Sequence, residues 1–250
     1  MLVTSTSDYK VLPAGDTALV VEFGEHVDRR ISTRVLALAR RLAEARLDGI
    51  VEIVPTFRSL LVHYDPLTLP VAVLMARVVD LMPGPQTAEE PGRLWRLPAC
   101  YDASLAPDLD DVAAAVGLSC AQVIERHSAA TYHVYMLGFL PGQAYMGDVP
   151  AELALPRRQV PRTRIPAGSL AMTGAMTCIF PLETPCGWHI VGRSPIPLWQ
   201  PGQHPQALLA PGDKVTFAPV SLREYERLAA QVAEGMLHIA PGDGALGAAA

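Results

Sequence analysis

Arginines concentrated in one proline-bounded segment are the side chains of this chain best suited to do chemistry. Arg157, Arg158, Arg162 and Arg164 lie within eight residues of one another. A guanidinium presents a planar fork of donors that matches a carboxylate or a phosphate. A solvated basic loop has the same composition. We predict that Arg157 and Arg162 orient an anionic group, and we count both as candidate catalytic residues.

One histidine is the candidate acid–base group. His127 falls at the end of a predicted helix, where an imidazole can interact with the negative end of the helix dipole. An imidazole also changes its charge near neutral pH, so His127 is the third candidate catalytic residue. The cysteines form no C-x-x-C pair and lack a recognisable His-Asp partner pattern, so we predict neither a metal site nor a cysteine nucleophile.

Two loops rich in glycine and proline flank short apolar runs and are the expected binding surface. Glycine lets a backbone approach a ligand closely, and proline fixes φ near −65°. We expect the loops at 138–147 and 156–169 to converge on one side of their domain, with Trp188 as a wall. The candidate binding residues are Tyr135, Gly138, Phe139, Pro141, Gly142, Tyr145, Pro166, Gly168, Ser169 and Trp188.

Composition excludes several classes of protein. Half of the residues are hydrophobic, 18% are charged and the net charge is −5, which favours packed cores and gives no basic stripe for nucleic acid. No apolar run is long enough for a membrane span, and the first residues lack the pattern of a signal peptide. With no sign of a disulfide framework, we expect a cytoplasmic protein. No G-x-x-x-x-G-K-[ST] motif for ATP occurs.

The first hundred residues predict a small domain of strands and helices. The order of elements is β-α-β-β-α-β, which favours a split-βαβ, ferredoxin-like arrangement. A loose segment at 83–92, rich in Pro, Gly and Glu, is also typical of a domain boundary, which leaves the placement of the last strand open. The predicted elements are strand 18–23, a helix beginning after Asp28 and ending at Gly49, strands 50–54 and 60–64, helix 70–81 and strand 93–101.

The rest of the chain predicts a barrel. Two short helices follow Asp108 and Ser119, the second with a capping box to Gln122. Beyond them, 13 of the 23 prolines lie between residues 138 and 220 and separate short apolar runs, a pattern typical of a closed or nearly closed antiparallel barrel. We therefore predict an α+β protein. Its parts are an N-terminal domain at 1–85, a linker and connecting strand at 86–107, and a barrel domain at 108–240.

Several separated motifs together resemble one bacterial family. They are GF-x-PG-x-x-Y-x-G from Gly138, PRR-x-x-PR from Pro156, PAGS from Pro166 and GW-x-x-x-GR-x-P from Gly187. The chain is identified by them as a member of the family of the 5-oxoprolinase B subunit, also called allophanate hydrolase subunit 1, which includes the Kip-type inhibitor of a histidine kinase. The same module resembles one half of the carboxyltransferase domain of urea carboxylase.

The resemblance implies a fold, partners and a reaction. The implied fold is a small α/β domain followed by a cyclophilin-like β-barrel. The implied partners are a homologous barrel protein, equivalent to the C subunit of 5-oxoprolinase, and a third protein, equivalent to its A subunit. The assembled complex uses ATP, which this chain need not bind itself, to open 5-oxoproline to glutamate. The alternatives are a regulatory inhibitor of a histidine kinase and a subunit of the carboxyltransferase type that works on urea- or allophanate-like amides.

Four positions depart from the pattern of the family. Gln143 stands where an aromatic residue is common, and Cys186 replaces the first glycine of a Gly-Gly-Trp turn. Met176 and Cys178 replace the Gln and Gly of a Gln-Thr-Gly run. A cysteine in place of glycine restricts the backbone, and the loss of a glutamine removes an acceptor and two donors. We expect these changes to lie around one cleft and to affect catalysis more than fold.

Overall fold

A computed structural model describes residues 4–5, 8–237 and 239–242. The chain forms two compact units, one up to Pro91 and the other from Gly92 onward. Each unit has its own hydrophobic core. In the part of the chain that the model describes, no helix combines the length and apolarity needed to cross a membrane.

The first unit is an antiparallel sheet with two helices. The sheet order is β1-β2-β3-β5-β4. Helix α1 begins because the Asp28 carboxylate accepts hydrogen bonds from two backbone N–H groups of its first turn, and its fully buried Val35, Leu38 and Leu42 recur at helical spacing. The elements are β1 Thr4–Ser5, β2 Lys10–Pro13, β3 Ala18–Glu22, α1 Arg29–Ala45, β4 Ile50–Pro55, β5 Ser59–Tyr64 and α2 Val71–Asp80.

The ferredoxin-like prediction is wrong in its last strand. Strand β5 does lie between β3 and β4, as a split βαβ unit requires. The position beside β3 is taken by β2, however, through a hairpin that pairs Lys10 with Glu22. The expected final strand, Leu94–Cys100, belongs to the second unit. Its last four residues are all buried, which is typical of a strand covered on both faces rather than of a sheet edge.

The second unit contains a closed barrel, as predicted. Seven strands close in the order β10-β11-β8-β7-β14-β6-β13, and β9 and β12 form a separate two-stranded sheet. The elements are β6 Leu94–Cys100, α3 Leu109–Val116, α4 Cys120–Ala129, β7 Tyr132–Leu137, β8 Ala144–Gly147, a 3-10 turn Ala151–Leu153, β9 Arg162–Ile165, β10 Ser169–Thr173, β11 Met176–Ile179, β12 Thr184–Cys186, β13 His189–Arg193, β14 Lys214–Val220 and α5 Leu222–Ala233.

The barrel is not antiparallel throughout, and this corrects the prediction. Strands β6 and β14 are parallel, in a register that runs from Leu94 opposite Lys214 to Cys100 opposite Val220. A short hairpin forces antiparallel pairing, but these strands lie far apart in sequence and no hairpin joins them. The segment expected to be a connecting strand is therefore a full member of the barrel wall.

Alternation along the strands separates the inside of the barrel from a second apolar layer. On β10, Leu170 and Met172 belong to the large core, whereas Ala171 between them belongs to a small cluster. The same alternation places Cys178 of β11 and Ile190 of β13 in the small cluster. This cluster therefore lies on the outer face of the barrel. Residues of β9 and β12 contribute to it as well, so the two-stranded sheet covers that face.

Candidate functional site

A small open pocket lies at the edge of this outer apolar layer. Its volume is about 50 Å³, room for one or two waters at about 30 Å³ each and well below the roughly 300–1,000 Å³ of sites that enclose a whole ligand. Both predicted loops reach the pocket, and Trp188 forms part of its wall. The lining residues are Phe139, Gln143, Tyr145, Arg157, Phe180, Pro185, Cys186, Gly187 and Trp188.

Aromatic rings form the walls. Trp188 is almost fully buried and meets Tyr145 edge-on at 5.9 Å between ring centroids. Phe180 meets the same indole at 6.3 Å, again nearly perpendicular. Edge-to-face contacts of this kind fix ring orientation. Burial raises the pKa of the Tyr145 phenol, which therefore stays neutral.

Arg157 supplies the positive charge at the pocket. It is exposed, and within the described residues no carboxylate lies within ion-pair distance of it. Its Nε lies 3.9 Å from the position that a Cβ on Gly187 would occupy, so the guanidinium group packs over the turn before Trp188. An arginine in this position remains available to an anionic ligand.

Two thiols lie beside the aromatic walls. The Sγ of Cys186 accepts a hydrogen bond from the Trp188 N–H at 3.2 Å. Burial raises the pKa of Cys186, and it raises that of the fully buried Cys178 further. Since the thiolate is the nucleophile, these protonated thiols are inert structural groups at neutral pH.

The catalytic role of Arg162 stays a prediction, but Arg162 does not line the pocket and a carboxylate of this chain already occupies its guanidinium. Asp108 has almost no exposed surface and receives Arg158 Nη1 at 2.5 Å and Arg162 Nη1 at 2.9 Å. Its Oδ2 also accepts the N–H of Ile190 at 2.7 Å. Asp108 precedes α3 but makes no capping hydrogen bond with its side chain. Through Asp108, the arginine segment is therefore connected to strand β13 of the barrel.

The catalytic role of His127 also stays a prediction, and the structure places this residue away from the pocket. The residue does lie in the last turn of α4, but its ring has no exposed surface and does not line the pocket. Nδ1 pairs with the Tyr101 hydroxyl at 2.9 Å, Nε2 lies 3.3 Å from the Thr177 hydroxyl, and the ring stacks on Phe217 at 5.0 Å. Burial lowers the pKa of His127 from 6.5 to about 3, so the imidazole is a neutral core group.

Several predicted binding residues shape the backbone and do not line the pocket. Gly142 has φ of +73°, and a Cβ there would lie 2.7 Å from the carbonyl oxygen of Leu198. The Gly138 N–H donates to the carbonyl of Gln143 and closes the β7–β8 hairpin, in which Pro141 is exposed. These residues position Phe139 and Gln143 at the pocket. In the second loop, Pro166, Gly168 and Ser169 also lie outside the pocket lining.

The second loop and Tyr135 have structural contacts of their own. The Ser169 hydroxyl donates to the Pro166 carbonyl at 2.7 Å and fixes the turn between β9 and β10. Gly168 has φ of +79° and packs against the backbone of Ser194. Tyr135 is buried and donates from its hydroxyl to Asp148 at 3.1 Å. Of the ten predicted binding residues, Phe139, Tyr145 and Trp188 line the pocket.

Sequence reasoning missed five lining residues. Gln143 and Cys186 were recognised as departures from the family pattern but not as candidates for binding, and a third departure, Cys178, lies behind them in the small cluster. Met176, the fourth departure, packs against the same cluster. The sequence could have indicated three of these residues, because Pro185, Cys186 and Gly187 directly precede the predicted wall residue Trp188. Phe180 follows the buried strand β11 in the same way.

A larger depression lies in the first unit, away from every predicted site residue. It measures about 460 Å³ and is lined in part by Lys10, Glu22 and Arg58. Arg58 there donates to the carbonyl of Gly24 and lies 3.8 Å from the Glu22 carboxylate, so its charge is already engaged. None of the predicted site residues lies in this unit. Among the described residues, no group of three or more His, Cys, Asp or Glu side chains is arranged to hold a metal ion.

Comparison with known proteins places this geometry in a family. A family model described as the carboxyltransferase domain, subdomain C and D, matches residues 9–209. The crystal structure of the Kluyveromyces lactis urea carboxylase superposes with a TM-score of 0.76 at 23% identity, over 96% of this chain and 24% of that one. At this identity the likeness shows the fold alone. The matched residues span both units, so the chain has the fold of this carboxyltransferase domain.

Sequence relatives define the family more closely. The 5-oxoprolinase B subunit of Bacillus subtilis (strain 168) is 34% identical over 234 residues, which cover 88% of this chain and 96% of the relative. The 5-oxoprolinase B subunit of Escherichia coli O157:H7 is 36% identical over 206 residues, covering 82% and 93%. The chain belongs to the family of 5-oxoprolinase B subunits. The names of these relatives imply that they work with other subunits.

Proposed function

We propose that this chain is a subunit of an ATP-dependent 5-oxoprolinase that opens 5-oxoproline to glutamate and shares its active site with a homologous barrel subunit. The observation that carries the proposal is the pocket at Arg157. It combines aromatic walls with a guanidinium that no carboxylate of the described chain occupies. That pairing suits a small ring bearing a carboxylate.

The size of the pocket supports a shared site. A 5-oxoproline molecule is several times larger than a water, whose share of liquid volume is about 30 Å³. A space of about 50 Å³ accepts one end of such a molecule and leaves the rest outside. Binding sites usually bury most of a ligand. A second protein surface placed over the opening would supply the missing part.

Exposed apolar side chains on the loops around the pocket support a partner. Phe139, Val160 and Leu182 are 68%, 75% and 40% exposed. Phe139 lines the pocket itself, Val160 is three residues from Arg157, and Leu182 is three residues from Pro185. Exposed apolar groups on loops that carry pocket residues are typical of protein interfaces. We assign this surface, the Phe139–Val160–Leu182 rim, to the homologous barrel subunit, with a third protein completing the complex.

ATP chemistry belongs to the assembled complex in this proposal. The sequence has no P-loop, and two arginines of the basic segment, Arg158 and Arg162, are already paired with Asp108. The described residues thus lack a built triphosphate site, with Arg157 as one isolated charge. The role of this chain is to bind and orient the carboxylate of the substrate.

Reconstitution tests the function. The chain is co-expressed with a barrel protein of the C-subunit type and a protein of the A-subunit type, and glutamate release from 5-oxoproline is measured with and without ATP. We expect release that requires ATP and all three proteins, and none from the purified single chain. Turnover by the single chain, or no release from the full complex, would overturn the proposal.

The match to carboxyltransferase subdomains C and D favours a second candidate, a subunit that works on urea- or allophanate-like amides. The same complex, offered urea or allophanate in place of 5-oxoproline, distinguishes the two. Consumption of urea or allophanate without glutamate release from 5-oxoproline would select the second candidate.

A further inference from the structure

A buried amide at the pocket lacks the hydrogen bonds it needs. Gln143 lines the pocket with a residue exposure of 1%. Its Oε1 is buried and has no hydrogen-bond partner among the described residues. Its Nε2 has one contact, 3.8 Å to the Sγ of Cys178. A thiol is a weak partner for an amide.

Turning the amide over does not remove the deficit. If oxygen and nitrogen exchange places, the Cys178 thiol can donate to the oxygen, but the NH₂ group then lacks an acceptor. A buried polar group left unpaired is costly, so each such group in a folded protein calls for an explanation. Because Gln143 lines the adjoining pocket, a ligand group placed there can complete the hydrogen bonding once the side chain turns its amide toward it.

The other lining groups define the ligand that fits. Arg157 is the one ionised side chain among the nine lining residues, and the remainder are aromatic, neutral or small. With no carboxylate in the lining, an anion is attracted and not repelled. The flat rings of Tyr145, Phe180 and Trp188 contact one another edge-on, and a planar group can pack against the wall they form.

We propose that Gln143 is a specificity-determining residue whose side-chain oxygen accepts a hydrogen bond from the N–H of a small planar amide, lactam or ureido ligand, while Arg157 binds the carboxylate of the same ligand. This deepens the proposed function and rests on it for the identity of the lactam. The pocket distinguishes an amide from an ester of the same shape, since the ester oxygen cannot donate to Gln143. Arg157 distinguishes carboxylates from neutral rings.

Three probes of matched shape test the assignment on the assembled complex by titration calorimetry. The first is 5-oxoproline, and the second is 5-oxotetrahydrofuran-2-carboxylate, in which oxygen replaces the N–H. The third is 2-pyrrolidone, which lacks the carboxylate. In the unaltered complex we expect the lactam to bind about tenfold more tightly than the lactone, or more, corresponding to ~1.4 kcal/mol. This comparison needs no mutation, so it holds whatever a variant does to folding.

Variants assign each preference to its residue. Gln143→Met, which keeps chain length, should reduce the lactam-to-lactone preference to about twofold or less and leave the carboxylate preference unchanged. Arg157→Gln should reduce the preference for 5-oxoproline over 2-pyrrolidone and leave the lactam-to-lactone preference unchanged. Gln159→Leu, at an exposed glutamine outside the lining, is the matched control and should change neither.

The outcomes separate this proposal from the function. A complex that prefers the lactam but releases no glutamate refutes 5-oxoprolinase activity and supports the role of Gln143. Binding of none of the probes, equal binding of lactam and lactone, or a Gln143→Met complex that keeps the wild-type preference would each overturn the role of Gln143.

Discussion

The Asp108 cluster gives the sharpest test of how the site is held in place. Replacing Asp108 by asparagine removes the charge from a carboxylate that is 1% exposed. That carboxylate holds Arg158 at 2.5 Å, Arg162 at 2.8 Å and the N–H of Ile190 at 2.7 Å. The new NH₂ group turns a donor toward guanidinium donors. Two cations then remain beside a neutral group.

The expected cost follows from the burial of the partners. Breaking a fully buried ion pair from one side costs about 3–5 kcal/mol. The two arginine side chains are 25% and 28% exposed, so water solvates them in part and lowers this figure. We expect the free energy of unfolding to fall by about 2–4 kcal/mol. For a unit of this size the melting temperature then falls by roughly 5–15 °C.

Tryptophan fluorescence measures this loss selectively. All three tryptophans, Trp95, Trp188 and Trp199, lie in the second unit, so a fluorescence melt reports on the barrel. The control is Asp111→Asn, an exposed carboxylate in the first turn of α3, whose loss removes a helix-dipole interaction of about 0.3–1 kcal/mol. An Asp108→Asn protein that melts within about 2 °C of this control would refute the argument.

The structure fixes the direction in which three further changes alter stability or partner binding. Burial holds the pKa of His127 at about 3, while an unfolded imidazole titrates near 6.5. The free energy of unfolding should therefore fall by about 2 kcal/mol from pH 7 to pH 5. His127→Gln should remove that loss, as measured by thermal melts at several pH values. Gly168→Ala should destabilise by about 1–3 kcal/mol more than Gly174→Ala in denaturant titrations, since both have positive φ but only the former forces a Cβ against the carbonyl oxygen of Ser194. Leu182→Asp should weaken binding of the barrel partner about tenfold or more without changing the melting temperature. The control Leu67→Asp, at a fully exposed leucine of the first unit, should leave binding unchanged. Equal effects of the two variants on binding would contradict the rim assignment.

The barrel could be predicted because its signals are local. Short apolar runs separated by prolines give strands of the right length wherever the turn residues stop them. The capping box of Ser119 and Gln122 fixed the start of α4 in the same way and is present in the structure. The strand at 94–100 could not be placed, because a short buried run fits a ferredoxin-like edge or a barrel wall equally well. Only pairing with Lys214–Val220 decides between them.

The site was harder to predict because its interactions are long-range. Asp108 meets Arg158 across fifty residues of sequence, and an aspartate before a helix looks like an N-cap. The sequence therefore gives no sign that Arg162 is already paired with Asp108. The burial of His127 could not be predicted either, because the aromatic ring that stacks on it, Phe217, lies far along the chain. Trp188 and Phe139 were found because glycine-rich turns mark ordered loops, where binding residues concentrate.

The measurement that tests the account most directly is the KM for 5-oxoproline of the assembled complex carrying Arg157→Gln, beside a complex carrying Arg164→Gln. Arg164 is 76% exposed and pairs with Glu183 at the surface, so it matches the charge change without touching the pocket. Loss of a charged hydrogen bond costs about 1.5–3 kcal/mol, so the account predicts a KM roughly ten- to a hundredfold higher for Arg157→Gln. It predicts an unchanged KM for Arg164→Gln. Equal KM values for the two complexes would show that the substrate binds elsewhere.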